Sequence, residues 1–306
     1  MEDDLPKLVI ISGPTCAGKS SLGVEVALRV GGQIINADSM QVYKGMDIGT
    51  AKTPVSERKG VPHYLIDIVD PDEEFNAALF RERALAIIKE LHAKKIPIIV
   101  VAGTGLYVKT LLGGLFEAPS PDPALRRALL KEWDEKGPAL LYERLSRLDS
   151  AAAESINPMD RIRITRALEV IELSGCRFSE LTKKHGFSDR RFNALNLCLD
   201  VSRQALYERI NKRTASMIEG GLIAEVERLL QKGYSPELKP MNAIGYRHIV
   251  GYLTGEWNLG EAKRLMQRDT RRYAKRQLTW FRADGTVTWV DPDDKPGILK
   301  KVTGFL

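Results

Sequence analysis

A strand-length apolar run, a glycine-rich loop and a helical pattern follow one another near the start of the chain, and that order limits the possible folds more than any other feature. Residues 8–12 are continuously apolar and read as a buried parallel strand. Gly13-Pro14-Thr15-Cys16-Ala17-Gly18-Lys19-Ser20 satisfies G-x-x-x-x-G-K-[ST], and residues 20–30 read as a helix ending at Gly31-Gly32. Glycines at these places let the backbone curl so that successive N–H groups point at phosphate oxygens, and the following helix adds its positive end. Lys19 supplies a mobile charge, and the Ser20 hydroxyl is placed to ligate Mg²⁺. The loop therefore predicts a di- or triphosphate ligand.

Strand and helix keep alternating. Residues 33–37 and 98–102 read as further buried strands, and residues 76–93 as a helix with Leu79, Phe80, Ala84, Ile87, Ile88 and Leu91 on one face. The expected fold is α/β: a P-loop NTPase-like parallel sheet flanked by helices. Pro119, Pro121 and Pro123 then mark a boundary, and helical patterns without a strand continue to about Arg191. An all-helical insertion over 117–192 is expected to interrupt a core made of 1–116 and 193–306. Within the returning core, residues 193–201 read as a strand, 201–232 as a helix up to Gly233, 259–282 as a long helix, and 286–290 as a last strand.

Composition narrows the class. With 43% hydrophobic and 28% charged residues the chain is not disordered, and no apolar run is long enough for a membrane helix. The acidic start, MEDDLPK, is unlike a secretory or mitochondrial leader, and Cys16, Cys176 and Cys198 are odd in number and scattered. A cytoplasmic protein with no membrane partner, acting as a monomer, is expected. Charge is unevenly placed. Residues 1–115 carry 13 Lys/Arg against 14 Asp/Glu, whereas residues 201–306 carry 19 against 12. A basic excess confined to the last third is the footprint of a polyanion partner. It is densest in 263–282, where eight Lys/Arg accompany one acid and Arg264, Arg268, Arg271 and Lys275 share a helical face. Met266, Tyr273 and Trp280 fall on another face, expected to be the buried one.

The loop alone does not make the ligand ATP, because residues 98–102 run into Gly103-Thr104-Gly105 without the strand-end carboxylate of a P-loop kinase. The acidic candidate is Asp38, after the strand at 33–37, since strand ends of a parallel sheet share one crevice. Asp38 reads either as part of a site or as a turn or helix-capping residue. Cys16 lies inside the loop, so alkylating it is expected to obstruct diphosphate binding.

Taken in order, the motifs resemble those of the tRNA dimethylallyltransferase family. Residues 13–20 resemble GPTASGKT, with Cys16 and Ala17 for Ala-Ser and Ser20 for Thr. Residues 35–52, INADSMQVYKGMDIGTAK, are close to verbatim. Residues 62–67 resemble PHHLID with Tyr64 for the second His, and 102–107 resemble GGTGLY. Residues 156–160 with Arg163 and 166–170 resemble IHPND…R…RALEV with Asn157 for His, and residues 243–247 and 273–282 are also family-like.

The resemblance implies attack by an adenine N6 amine on dimethylallyl diphosphate, with the adenosine just 3′ of a tRNA anticodon as acceptor. Its proposed machinery is Asp38 as general base, Thr104 beside the reacting centre, and Gly13 to Ser20 with Arg213 and Mg²⁺ on the diphosphate. By position alone Arg213 could equally be a solvated helix residue. The resemblance adds tRNA contacts at Asp38-Ser39-Met40-Gln41, Thr104, Arg126, Ile162-Arg163-Ile164-Thr165-Arg166, Ala243-Ile244-Gly245-Tyr246-Arg247-His248 and Lys275-Arg276-Gln277-Leu278-Thr279-Trp280-Phe281-Arg282. The helical insertion is expected on the anticodon stem-loop. Other readings stay open: a small-molecule kinase, a prenyltransferase acting on free adenine nucleotide, and a nucleotide-gated RNA-binding protein without catalysis. Loss of turnover in Asp38→Asn with RNA binding kept separates the last from the enzymes.

Overall fold

Alternation within β1 (Lys7–Ser12) shows how the core is built: in a computed structural model Leu8 and Ile10 enter one apolar cluster, Val9 and Ile11 another, on opposite faces of the sheet. The structure describes residues 5–116, 119–185, 189 and 191–306; Glu117 and Ala118 of the expected boundary and 186–188 and 190 of the expected insertion lie outside them. The chain divides into two compact units, Met1–Leu112 with Arg190–Leu306, and Gly113–Asp189.

In the first unit β1 is followed by α1 (Lys19–Val30), β2 (Gln33–Ala37), β3 (His63–Tyr64), α2 (Ala77–Ala93) and β4 (Ile98–Ala102). Then α3 (Gly105–Gly113) leads into the second unit, whose helices are α4 (Pro123–Lys136), α5 (Pro138–Leu148), α6 (Ser150–Ser155), α7 (Arg161–Ser174) and α8 (Phe178–His185). The first unit resumes with β5 (Asn193–Leu199), α9 (Arg203–Glu219), α10 (Leu222–Gln231), α11 (Tyr246–Leu253), α12 (Leu259–Arg282), β6 (Thr288–Val290) and α13 (Lys295–Phe305).

The six strands are all parallel, in the order β3-β2-β4-β1-β5-β6. Placing β4 between β1 and β2 brings the segments after all three to one edge, so the phosphate loop, Asp38 and Gly103-Thr104 open on a common crevice. The helix expected over 201–232 is two helices, broken at Gly220-Gly221; Gly221 adopts φ +100°, which a side chain would resist. The strand β3 is two residues long, too short to show a period, and α13 carries Pro296 and two glycines that hid it.

The second unit packs around its own apolar cluster, with Leu129, Leu141, Leu145, Ile164 and Leu168 at its centre. Among the described residues no helix is long and apolar enough to cross a membrane.

Candidate active site

The phosphate loop takes its shape from three residues in the left-handed half of backbone space: Gly13 (φ +144°), Cys16 (φ +65°) and Gly18 (φ +96°). Gly13 has a second constraint, because a Cβ there would lie 3.3 Å from the Leu199 backbone nitrogen. Gly18 caps α1, so the helix N-terminus opens on the loop. Lys19 folds back over it, Nζ donating to the Pro14 carbonyl at 2.8 Å. Burial lowers the Lys19 pKa to about 8, with the Asp38 carboxylate opposing the shift and the Arg213 guanidinium adding to it. Arg213 reaches across from α9 to donate to Thr15 Oγ1 at 3.2 Å, so it is turned to the loop and not to open solvent. Cys16 is buried among the apolar residues beneath the loop.

The two oxygens of Asp38 are placed differently. Oδ1 accepts the backbone N–H groups of Met40 (2.8 Å) and Gln41 (3.3 Å), as a turn-capping carboxylate does. Oδ2 is turned toward the end of β4, where a Cβ on Gly103 would stand 3.2 Å from it; the missing side chain is what admits the carboxylate. Thr104 Oγ1 accepts the Ser39 N–H at 3.3 Å, tying the segment after β4 to the segment after β2. Gln277 on α12 bridges a further gap, its Oε1 accepting the Thr15 N–H (2.8 Å) and its Nε2 donating to the Gly103 carbonyl (2.7 Å). Thr15, Lys19, Ser20, Asp38, Gln41, Arg213 and Gln277 all line a cavity of about 390 Å³.

A second cavity of about 320 Å³ adjoins the first, sharing Thr15, Asp38, Thr50, Ala51, Arg213 and Tyr273. Its far walls are Met40, Met217, Ile244 and Met266, with Arg247 and Arg276 at the polar side. Burial, reinforced by the charge of Asp38, pushes the Tyr273 phenol well above its ordinary value, so it remains a hydroxyl donor between the two cavities. The two chambers thus differ in kind: one is bounded by the glycine-rich loop and Lys19, the other by methionines and aliphatic side chains with arginines along one side, and Asp38 stands where they meet.

The remaining expected residues separate into surface and support. Lys275, Arg276, Thr279 and Arg282 are exposed on α12, whereas Gln277 and Phe281 are buried, Leu278 is half-buried, and Trp280 packs where a Gly105 Cβ would be. Tyr273 and Trp280 are half-buried, so of the face expected inside only Met266 is fully so. Three of the expected cationic row are engaged within the protein, Arg264 with Glu261, Arg268 with Asp269 and Arg271 with Asn211. Ala243 and Ile244 line the second cavity, and Gly245 (φ +98°) starts α11. Tyr246 and His248 are both buried, Tyr246 in the wall of the second cavity and His248 lining neither cavity. In the second unit Ile162 is 79% exposed and Arg163 is exposed, while Ile164 and Thr165 belong to the interior. Arg126 and Arg166 both pair with the buried Glu169, at 2.7 and 2.6 Å.

Sequence reasoning overlooked two carboxylates. Asp269 on α12 accepts from Arg247 (2.6 Å), Arg268 (2.8 Å) and His248 Nε2 (3.2 Å). Burial alone would raise its pKa, but these donors outweigh it and hold the carboxyl well below the usual range. His248 Nδ1 accepts the Gly245 N–H, which leaves the proton on Nε2 for Asp269. Glu225 on α10 is likewise buried under several donors. Both acids sit on apolar stripes, Asp269 after Leu265-Met266 and Glu225 between Leu222 and Val226, and an acid at such a position is the signal that could have found them.

A family model described as IPP transferase matches residues 41–284. The chain is 49% identical over 301 residues to tRNA dimethylallyltransferase 2 of Syntrophus aciditrophicus, covering 98% of this chain and 97% of that one. It is 50% identical over 285 residues to the tRNA dimethylallyltransferase of Geobacter sulfurreducens, covering 93% and 92%. Among solved structures it resembles the tRNA isopentenylpyrophosphate transferase of Bacillus halodurans, with TM-score 0.72, 39% identity, and coverage of 98% and 96%. It also resembles a eukaryotic dimethylallyltransferase acting on tRNA, with TM-score 0.80, 31% identity, and coverage of 93% and 73%. On the strength of matches that span both units and nearly the whole length, this chain belongs to the IPP transferase family, that of the tRNA dimethylallyltransferases.

Proposed function

We propose that the chain transfers a dimethylallyl group from dimethylallyl diphosphate to N6 of the adenosine immediately 3′ of the anticodon, in cytoplasmic tRNAs that read codons beginning with U. The observation that supports this most is the position of Asp38, shared by a phosphate-binding chamber and an apolar one. The N6 lone pair forms a bond to the allylic carbon, the C–O bond to the diphosphate breaks, and the N6 proton passes to the Asp38 carboxylate. Loop N–H groups, Lys19 and Arg213 take up the charge that develops on the leaving oxygen. Thr104 Oγ1, already fixed by the Ser39 N–H, orients the amine beside Asp38.

Mg²⁺ suits this donor set. Among the described residues no group of three or more His, Cys, Asp or Glu gathers as a metal cage, so the ion would be held by the Ser20 hydroxyl together with oxygens of the diphosphate it accompanies. When bound it would supply charge neutralisation of the leaving group.

An adenine inside the second cavity has left its stack, so the acceptor is a flipped base of a single-stranded loop. Exposed Lys275, Arg276 and Arg282, and Arg163 of the helical unit, are the side chains proposed to hold the anticodon stem-loop by its phosphates, with exposed Ile162 as an apolar contact beside Arg163. The buried Ile164, Thr165, His248 and Phe281 would support that surface from behind, whereas Tyr246 lines the cavity proposed for the base.

The test is nucleoside mass spectrometry of unmodified tRNA after incubation with protein, Mg²⁺ and dimethylallyl diphosphate. A gain of one C5H8 on that adenosine is expected; modification of free adenosine phosphates instead would move the acceptor from tRNA to nucleotide. Asp38→Asn keeps the Oδ1 acceptor of the Met40 and Gln41 N–H groups and removes the base. It should leave RNA and donor binding intact while lowering turnover by about 10²–10⁴-fold; turnover within twofold of the parent would dismiss Asp38 from the proton transfer.

A further inference from the structure

Residues 47–51 run into the walls of both chambers: Thr50 and Ala51 line each of them, Gly49 lines the apolar one, and Asp47 and Ile48 lead into that wall from outside the lining. A loop in that place would ordinarily be free to move, since its backbone N–H groups belong to no strand or helix. Here three consecutive N–H groups end on one side chain. Glu225 Oε2 accepts from Asp47 (3.0 Å) and Ile48 (2.8 Å), and Oε1 accepts from Gly49 (3.1 Å). The Tyr246 hydroxyl adds a fourth donor to Oε1 at 2.6 Å. The carboxylate is 1% exposed, so these donors are its solvation. The Tyr246 ring lies where a Gly49 Cβ would stand, 2.5 Å away, so loop, carboxylate and phenol are fitted to one another.

The loop in turn fixes a residue of the site. Gln41 Nε2 donates to the Thr50 (3.2 Å) and Ala51 (3.4 Å) carbonyls, which sets which end of the Gln41 amide is left for the phosphate-binding chamber it lines. At the other end the buried Lys52 ammonium is held by Asp47, Asp67 and the Tyr43 carbonyl. From this geometry we infer that Glu225 is a positioning residue for the transfer reaction: through residues 47–51 it sets the wall against which the allylic carbon and the acceptor base meet. The inference rests on the reading of the site given above, but its structural half stands apart from what is transferred. It touches no substrate, so its effect belongs in kcat, because a wall displaced by about 1 Å can cost near 10²-fold in rate while each substrate still binds.

The experiment compares Glu225→Gln, which keeps the shape and gives up the second anionic acceptor, with Glu225→Asp and with Val302→Ala. Val302 is fully buried on α13 and lines neither chamber, so its variant reports lost stability alone. Amide exchange is followed at Asp47, Ile48 and Gly49, and steady-state kinetics are taken well below the melting temperature of each variant. In Glu225→Gln those amides should exchange at least about tenfold faster than in Val302→Ala, and kcat should fall about 10- to 100-fold with both KM values within about threefold of the parent. Glu225→Asp should recover part of each change. Equal exchange in Glu225→Gln and Val302→Ala would overturn the inference whatever the chain transfers. Faster exchange with kcat unchanged would overturn it as well, leaving Glu225 a residue of the fold. A parent protein that transfers nothing to tRNA would strike the functional reading instead, and the exchange comparison would still decide whether Glu225 holds the wall.

Discussion

The phosphate loop and the wall at residues 47–51 face each other across one crevice, yet they are built by opposite means. The loop is eight consecutive residues shaped by local backbone geometry at Gly13, Cys16 and Gly18, with the Thr15 N–H held from α12 by Gln277. The wall is aimed by carboxylates supplied from far along the chain: Glu225 holds residues 47–49, and Asp269 holds Arg247 at the polar side of the apolar chamber and His248 behind it. An anion can be recognised by any backbone that presents N–H groups, so a short motif suffices. A neutral base and an allyl group offer little charge, so their chamber depends on shape, and shape at this point is enforced by buried acids with full sets of donors.

If that contrast is right, damage to the two sides should be read out differently. Lys19→Ala strikes the loop. Losing a charged donor to the leaving diphosphate should lower kcat by about 10²–10³-fold and weaken donor binding, with the affinity for an anticodon stem-loop RNA unchanged. Parallel losses of RNA and donor affinity would mean that the chambers are not separate functional regions.

Asp269→Asn strikes the other side. It leaves Arg247 and Arg268 facing an amide that cannot balance them, at a carboxylate whose side chain is 12% exposed and whose arginine partners are 42% and 39% exposed. With water still reaching the guanidinium groups, the expected cost is about 2 kcal/mol, below that of a fully buried pair. Urea melts should show it, and RNA affinity should fall with Arg247 displaced while donor affinity stays near the parent value. A melt unchanged within about 0.5 kcal/mol would show that the three donors find other partners.

The same contrast explains what could be read from the chain alone. The loop, the strands before and after it and the place of Asp38 were legible because each is a local pattern: an apolar run, a glycine spacing, an acid at a strand end. Glu225, Asp269 and the double role of Gln277 were not, because on a helix an isolated acid or amide looks like part of a solvated face until its neighbours on the stripe are counted. Residues 162–166 make the same point. As a motif they read as one contact surface, but on α7 their side chains point in different directions, Ile162 to solvent and Ile164 to the interior. The glycine pair at 220–221 is a visible break, but Leu222, Val226 and Leu229 continue a helical period after it, so periodicity alone reads through it.

The smallest expected effect concerns the loop again, and its sign makes it useful. Burial brings the Lys19 pKa down to about 8 from the ordinary value of 10.5 in the donor-free protein. Donor binding requires the ammonium form, so affinity for dimethylallyl diphosphate, measured by calorimetry without RNA, should be flat below about pH 7. It should be halved near pH 8 and fall toward tenfold per further pH unit, with a proton taken up on binding. Stability moves the other way. The unfolded chain keeps its lysine proton to about pH 10.5 while the folded one has lost it, so between about pH 8 and 10.5 the unfolded state binds more protons and this group makes the folded state more stable as pH rises. Alkaline unfolding would reduce affinity and stability together, whereas titration of Lys19 reduces the first and raises the second. The two slopes should therefore have opposite signs in the parent protein, and the affinity slope should flatten in Lys19→Ala, where no ammonium remains to lose.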